Sequence, residues 1–180
     1  FINKKNKIYF LFLIFIIFLQ IIFGAFVSGL DAGKIYQTWP LMNDNYFPSD
    51  TNILSYKDIV NFDNQSLVQF YHRNLAYIIF VLFFILGIYI YCLNIRKLFK
   101  PFFVVFLFLS FQIFLGIITL ITDLNIYLAL GHQICGLLLI LFLRCCSYDT
   151  ILFNCFGETS SMNFRARSFA REKTSGSVEV

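Results

Sequence analysis

The stretch NFDNQSLVQFYHRNLAYIIFVLFFILGIYIYCL, Asn61–Leu93, decides the fold of this 180-residue chain. A helix needs about 20 apolar residues to cross the hydrocarbon core of a bilayer, and the run from Leu75 onward has the character of such a helix. A titratable ring and a cation, His72 and Arg73, lie just inside its beginning. Three further runs are equally apolar. The sequence therefore predicts four membrane spans, at about residues 8–30, 67–93, 101–122 and 126–146.

The overall composition agrees with a membrane protein. The chain is 59% hydrophobic and 13% charged, whereas soluble domains carry roughly a quarter charged residues. We therefore predict an all-α membrane protein, a four-helix transmembrane bundle over residues 1–146 with a long loop at residues 31–66. Pro101 is expected in the first turn of the third span, where its missing N–H costs nothing.

The distribution of charge predicts the orientation of the spans. Three lysines precede the first span, an arginine and two lysines fill the link between the second and third, and Arg144 closes the fourth, whereas the loop 31–66 carries five aspartates and two lysines. Because positive charge stays on the cytoplasmic side, both termini are expected there and the loop outside. The net charge of +4 is thus an orientation signal, and no nucleic-acid partner is indicated.

The two ends of the chain and its cysteines carry less information. The chain begins with Phe1 rather than methionine, which predicts a fragment. Residues 147–180 are polar without an apolar period and are read as a disordered tail or as a sequence artefact. The cysteines are expected to serve packing rather than disulfides, because the long polar loop has none. They are Cys92, Cys135, Cys145, Cys146 and Cys155.

An internal repeat relates the two halves of the bundle. QIIFGAFVSGLD, Gln20–Asp31, matches QIFLGIITLITD, Gln112–Asp123, in the spacing of its glutamine, glycine and aspartate. A span with an early histidine follows each copy, at His72 and at His132. Two parallel helical hairpins of this kind would place the two histidines at equal depth, facing each other across an axis along the membrane normal.

Two facing histidines point to haem. A single membrane histidine is well explained as a hydrogen bond between helices, but two neutral imidazoles at one depth are what six-coordinate haem iron requires. Zinc needs three or four protein ligands, and its nearest oxygen donors, Asp31 and Asp123, lie at the rim. A proton relay needs carboxylates within the spans. We therefore predict that His72 and His132 are the axial ligands of a haem iron.

The charged and small residues near the two histidines can each be interpreted in two ways. Arg73 either pairs with a haem propionate or reaches to the lipid headgroups, and Lys34 has the same options. Small residues near the histidines leave room for a macrocycle or serve plain helix packing. The glutamines of the repeat, Gln20 and Gln112, are expected to hydrogen-bond between helices.

Two motifs in the loop and the following span resemble one known family. GLDAGKIYQTWPLM, Gly29–Met42, and VQFYHR, Val68–Arg73, look like the second half of haem A synthase, and LGIITLITDLNIYLALGHQICGLLL, Leu115–Leu139, resembles the two spans that close it. The resemblance extends over about residues 20–143.

The resemblance implies an activity and a cofactor. Haem A synthases have eight membrane helices in two similar halves and oxidise a ring methyl of haem O to a formyl group, which makes haem A for terminal oxidases. The second half holds a prosthetic haem b, and His72 and His132 occupy the ligand positions, with Arg73 beside them. The first half, regarded as the substrate site for haem O, does not appear in this chain, so the enzyme would be the intact parent protein.

The resemblance also implies a setting. It places the chain in a bacterial cytoplasmic membrane, with haem O synthase and the assembly of terminal oxidases as partners. Two other functions stay open on the residues alone. One is a membrane electron carrier of the cytochrome b type, which would need four histidines in one bundle if it held two haems. The other is a transporter-like or purely structural bundle in which the histidines only join helices.

Overall fold

The structure is a computed structural model that describes residues 4–51 and 55–144. Within this part of the chain all regular secondary structure is helical, apart from one isolated bridge between Met42 and Asn45. The α-helices are α1 (Lys4–Gly29), α2 (Tyr56–Ile59), α3 (Gln65–Cys92), α4 (Arg96–Ile121) and α5 (Ile126–Arg144), and a short 3-10 helix spans Ala32–Lys34.

Four of these α-helices are long and apolar enough to cross a membrane, namely all except α2. The prediction of an all-α, multi-pass membrane protein is therefore confirmed. Large apolar side chains on the outer faces of the bundle stay exposed, as lipid-facing residues do. Examples from α1, α3, α4 and α5 are Phe12, Phe84, Leu107 and Leu141. The predicted tail 147–180 and three of the five cysteines lie outside the described residues.

The expected position of Pro101 was wrong. Helix α4 begins at Arg96, so Pro101 lies inside the helix rather than in its first turn. The apolar run marks only the part of a helix that lies in hydrocarbon. The helix itself continues into the charged link, where long basic side chains can extend to the headgroups.

One apolar core joins the four long helices. Each helix contributes two or more buried side chains: Leu13, Ile16 and Ile17 from α1, Ile79 and Phe83 from α3, Val105 and Leu109 from α4, and Leu139 and Leu143 from α5. These residues lie in the half of the bundle away from the loop that joins α1 to α3. We call the opposite half, where α1 ends and α3 begins, the loop end.

The loop folds onto α3 instead of extending away from it. The backbone carbonyl of Tyr36 accepts hydrogen bonds from Gln69 Nε2 at 2.8 Å and from Arg73 Nη2 at 2.7 Å. Its side chain is only 3% exposed, and that of Met42 only 1%. Helix α3 itself begins where the Asn64 side chain accepts from the backbone N–H of Leu67, which caps the helix. Residues 31–51 are thus an ordered part of the protein.

A carboxylate secures the last part of this loop. Asp50 accepts hydrogen bonds from the Tyr36 hydroxyl and the Ser66 hydroxyl, both at 2.6 Å. Partial burial raises the pKa of the Asp50 carboxyl, but the hydrogen bonds from Ser66 and Tyr36 outweigh it and hold the pKa below its ordinary value of 3.8. The ionised form is therefore the one that the folded loop stabilises.

We expect the contribution of Asp50 to stability to depend on pH. Because its pKa is lower in the folded state, the contribution is complete above about pH 5 and declines as the pH falls through the folded pKa. The melting temperature of the detergent-solubilised chain should exceed that of Asp50→Asn at pH 6, and the difference should shrink toward pH 3. When introduced into both proteins, Tyr36→Phe or Ser66→Ala should each reduce the difference in melting temperature that Asp50→Asn causes at pH 6. A gap between wild type and Asp50→Asn that stays constant down to pH 3 would contradict this account.

Candidate functional site

His72 lies about two turns from the loop end of α3, and its ring faces α1. A Cβ atom at Gly24 would stand 3.1 Å from His72 Cε1, so the ring occupies the space that this glycine leaves. Gln20, one turn away on the same helix, donates from Nε2 to the His72 backbone carbonyl at 3.0 Å. The same amide nitrogen lies 3.4 Å from His72 Nε2. His72 Nδ1 is buried and has no hydrogen-bond partner.

His132 lies at about the same distance from the loop end of α5, and its ring faces α4. A Cβ atom at Gly116 would stand 2.8 Å from His132 Cε1. Gln112 donates from Nε2 to the His132 backbone carbonyl at 2.7 Å. His132 Nδ1 lies 3.1 Å from the backbone carbonyl oxygen of Gln112. Since a carbonyl only accepts, Nδ1 carries the proton, and in the neutral ring Nε2 keeps the free lone pair.

Each histidine thus has a glutamine partner for its carbonyl and a glycine against its ring, both on the preceding long helix. The helix ends correspond as well, because α1 ends at Gly29 and α4 at Ile121, each followed two residues later by an aspartate with positive φ. These aspartates are Asp31 at 55° and Asp123 at 51°. The repeat itself stays a prediction, and the matching contacts support it.

The two rings lie in the same part of the bundle, within the range over which charges on them would interact. Both lie at the loop end, beyond the apolar core that fills the other half. Among the described residues, no group of three or more histidine, cysteine or acidic side chains is arranged to hold a metal ion.

Arg73 has a role that the sequence did not reveal. Its Nη1 donates to the carbonyl of Thr38 at 2.9 Å, and its Nη2 donates to that of Tyr36. Arg73 Nε is buried and has no partner. The guanidinium therefore holds the loop against the helix that carries His72. Its predicted contact with a propionate or a headgroup stays a prediction, as does that of Lys34, which forms an exposed ion pair with Asp31 at 3.0 Å.

The loop anchors were missed in the sequence, although a signal for them exists. Ser66, Gln69 and Arg73 follow one another at helical spacing, and the structure places all three on the face of α3 that meets the loop. A polar stripe of this kind beside an apolar face indicates a second contact surface. Of the two cysteines in the described part, Cys135 is half-buried, whereas Cys92 is exposed and does not pack within the bundle.

Fold and site together define a class: a membrane-embedded four-helix bundle with a pair of interior histidines at one end. The model of a family described as cytochrome oxidase assembly protein, COX15-CtaA, matches residues 2–144. The chain therefore belongs to this family, and the resemblance seen in its loop and span motifs is confirmed.

Curated relatives named "Heme A synthase" match most of this chain. The protein of Pelagibacter ubique (strain HTCC1062) is 42% identical over 156 residues, which is 84% of this chain and 43% of the relative. That of Orientia tsutsugamushi (strain Ikeda) is 41% identical over 78% of this chain and 39% of its own length. That of Wolbachia pipientis wMel is 38% identical over 77% of this chain and 38% of its own length. The chain thus spans about two fifths of the length of these relatives.

The glycine contacts lead to a stability prediction. Alanine at Gly116 would force the His132 ring to move, whereas a Cβ at Gly131, the residue beside His132, meets nothing within 4 Å. Gly116→Ala should therefore destabilise the detergent-solubilised protein by about 1–3 kcal/mol, and Gly24→Ala by less. Gly131→Ala should be neutral or stabilise by up to about 1 kcal/mol, as alanine does in a helix. Thermal unfolding followed by circular dichroism measures all three, and equal values for Gly116→Ala and Gly131→Ala would refute the packing of the ring on Gly116.

Proposed function

We propose that this chain is the haem-holding part of a haem A synthase, with His72 and His132 as the two axial ligands of a haem b. The observation that carries the proposal is the matched setting of the two histidines. Each ring is seated on a glycine of the preceding helix, and each histidine lies about two turns from the loop end of its own helix. Relatives with the printed name "Heme A synthase" support the reaction class.

The residues present fit a six-coordinate haem. Such an iron takes four nitrogens from the macrocycle and needs two more, each from a ring with an unprotonated nitrogen. His132 satisfies this requirement, because its proton is held at Nδ1 by the Gln112 carbonyl. His72 keeps a buried ring nitrogen without a partner, which is unusual for a polar atom inside a protein. A bis-histidine haem supplies one-electron transfer when bound, so this part of the protein would serve electron transfer.

For the whole protein we propose the oxidation of a ring methyl of haem O to a formyl group. With water as the oxygen source, this change releases four protons and four electrons, and the electrons pass to an external acceptor. The relatives are more than twice as long as the part that this chain matches. We therefore assign the chemical step to the remaining part of such a protein.

We further propose that the protein lies in a bacterial cytoplasmic membrane with its loop end outside. The support is the charge pattern, with Arg96, Lys100 and Arg144 at the far end of the bundle and an acidic loop at the other. Haem O synthase, which would supply the substrate, and the assembly of a terminal oxidase, which would use the product, are the partners that fit this reaction.

The ligand assignment is tested by haem reconstitution. The purified chain in detergent, mixed with haemin, should show the spectrum of a low-spin bis-histidine haem. His72→Gly and His132→Gly should each lose that spectrum, with at least a tenfold fall in affinity, and added imidazole should restore it by replacing the missing ring.

The control for this experiment is Cys135→Ala, a half-buried change one turn from His132, which should keep the low-spin spectrum. A wild-type chain that binds no haemin, or glycine variants with an unchanged spectrum, would contradict the assignment. Histidines that only join helices predict no visible pigment in any variant.

The propionate role of Arg73 is tested with haemin and its dimethyl ester, which lacks the charged carboxylates. If Arg73 binds a propionate, Arg73→Gln should weaken haemin binding about tenfold and ester binding much less, because a charge-assisted hydrogen bond is lost only with haemin. Gln69→Leu is the matched control, since Gln69 holds the same Tyr36 carbonyl without a charge. Equal losses for both pigments in Arg73→Gln would show that Arg73 acts on the loop alone.

A further inference from the structure

Two glutamine side chains lie in the middle of apolar membrane helices, which is a costly position for an amide. Gln20 and Gln112 belong to two of the four helices that are long and apolar enough to cross a membrane. A buried amide without hydrogen-bond partners destabilises the folded protein. Each amide could bond to any carbonyl of a neighbouring helix, yet in both cases the acceptor is the backbone carbonyl of a candidate ligand histidine.

At Gln112 the contact reaches the ring as well as the backbone. Its side-chain amide donates to the His132 backbone carbonyl, and its backbone carbonyl accepts from His132 Nδ1. Gly116, four residues further on, makes this possible, because a Cβ there would stand 3.3 Å from the donating nitrogen. The spacing of glutamine and glycine in α4 thus leaves room for the ring to reach the carbonyl. Gln112 therefore fixes the position of His132 along the bundle through its side chain, and the ring nitrogen that carries the proton through its backbone carbonyl.

At Gln20 the same arrangement is present in part. The amide nitrogen contacts both the carbonyl and Nε2 of His72. Gln20 Oε1 is buried without a donor, and His72 Nδ1 is buried without a partner. An acceptor and a ring nitrogen, both unsatisfied, therefore lie on two side chains that already touch. Rotation of the ring would pair an Nδ1 proton with Oε1 and leave Nε2 free, as at His132.

We propose that Gln20 and Gln112 are positioning residues for the two haem ligands: they set the orientation and the proton position of each imidazole. The inference rests on the proposed haem site. A ligand histidine whose other N–H is held by an oxygen is a stronger donor to the metal, and loss of such a partner typically lowers metal affinity about 10- to 100-fold.

The test uses the whole chain reconstituted with haemin and compares Gln20→Met and Gln112→Met with the wild type. Gln20→Met should raise the midpoint potential of the haem, because it removes the side-chain oxygen proposed to hold the His72 N–H and a weaker histidine donor stabilises the ferric state less. Gln112→Met keeps the backbone carbonyl that holds His132 Nδ1 and should leave the potential nearly unchanged. Each variant should transfer its haem to apomyoglobin about 10- to 100-fold faster and allow carbon monoxide to bind the reduced iron. Ser110→Ala, which removes a hydroxyl bonded within α4 to Phe106, is the matched control and should leave all three readings unchanged.

A further variant of Gln20 separates positioning from simple loss of packing. In Gln20→Glu a carboxyl group keeps an oxygen acceptor for the ring, so the midpoint potential should stay at or below the wild-type value and the haem should be retained. A purely structural role predicts that Gln20→Met and Gln20→Glu change stability without moving the potential in opposite directions. That result, in a chain whose wild type shows the low-spin spectrum, would overturn the inference and leave the histidine ligands standing. A wild type without that spectrum would overturn both proposals.

Discussion

A polar ring inside a membrane bundle must find its partners within the protein, and the arrangement of this bundle follows from that constraint. Each histidine lies where the preceding helix offers a glycine beside its ring and a glutamine for its carbonyl. The apolar cluster that joins all four long helices lies in the other half. The two halves therefore have different tasks: one holds the helices together, and the other presents the two imidazoles.

The loop is coupled to the site through helix α3. His72 and Arg73 are adjacent in sequence but lie on different faces of the helix, so one meets α1 while the other holds the carbonyls of Tyr36 and Thr38. A displacement of the loop would thus act on the helix that carries one of the proposed ligands. Asp50 strengthens this link as long as it is ionised, because its partners are the Tyr36 and Ser66 hydroxyls.

The family to which the chain belongs supports the proposed role of the histidine pair as haem ligands. A pair of imidazoles without other donors cannot build a complete metal site from protein alone, but it completes the coordination of an iron held by a macrocycle. In the haem site that we propose, the glutamines have a function beyond helix contact, since the proton position on each ring decides which nitrogen is available.

The sequence alone determined the features that depend on local composition and on the spacing of residues along the chain. Four long apolar runs predicted four spanning helices. The shared spacing of glutamine, glycine and aspartate, with a histidine early in the span that follows each copy, singled out residues that the structure brings into contact. The sequence misjudged the start of α4, because hydropathy reports the hydrocarbon core and not the end of the hydrogen-bonded helix. Only the tertiary structure decided what Arg73, Gln69 and Asp50 do, since their partners are backbone carbonyls and hydroxyls of a folded loop. A carbonyl is present at every residue and leaves no mark in the sequence, so such contacts become visible only when the chain path is known.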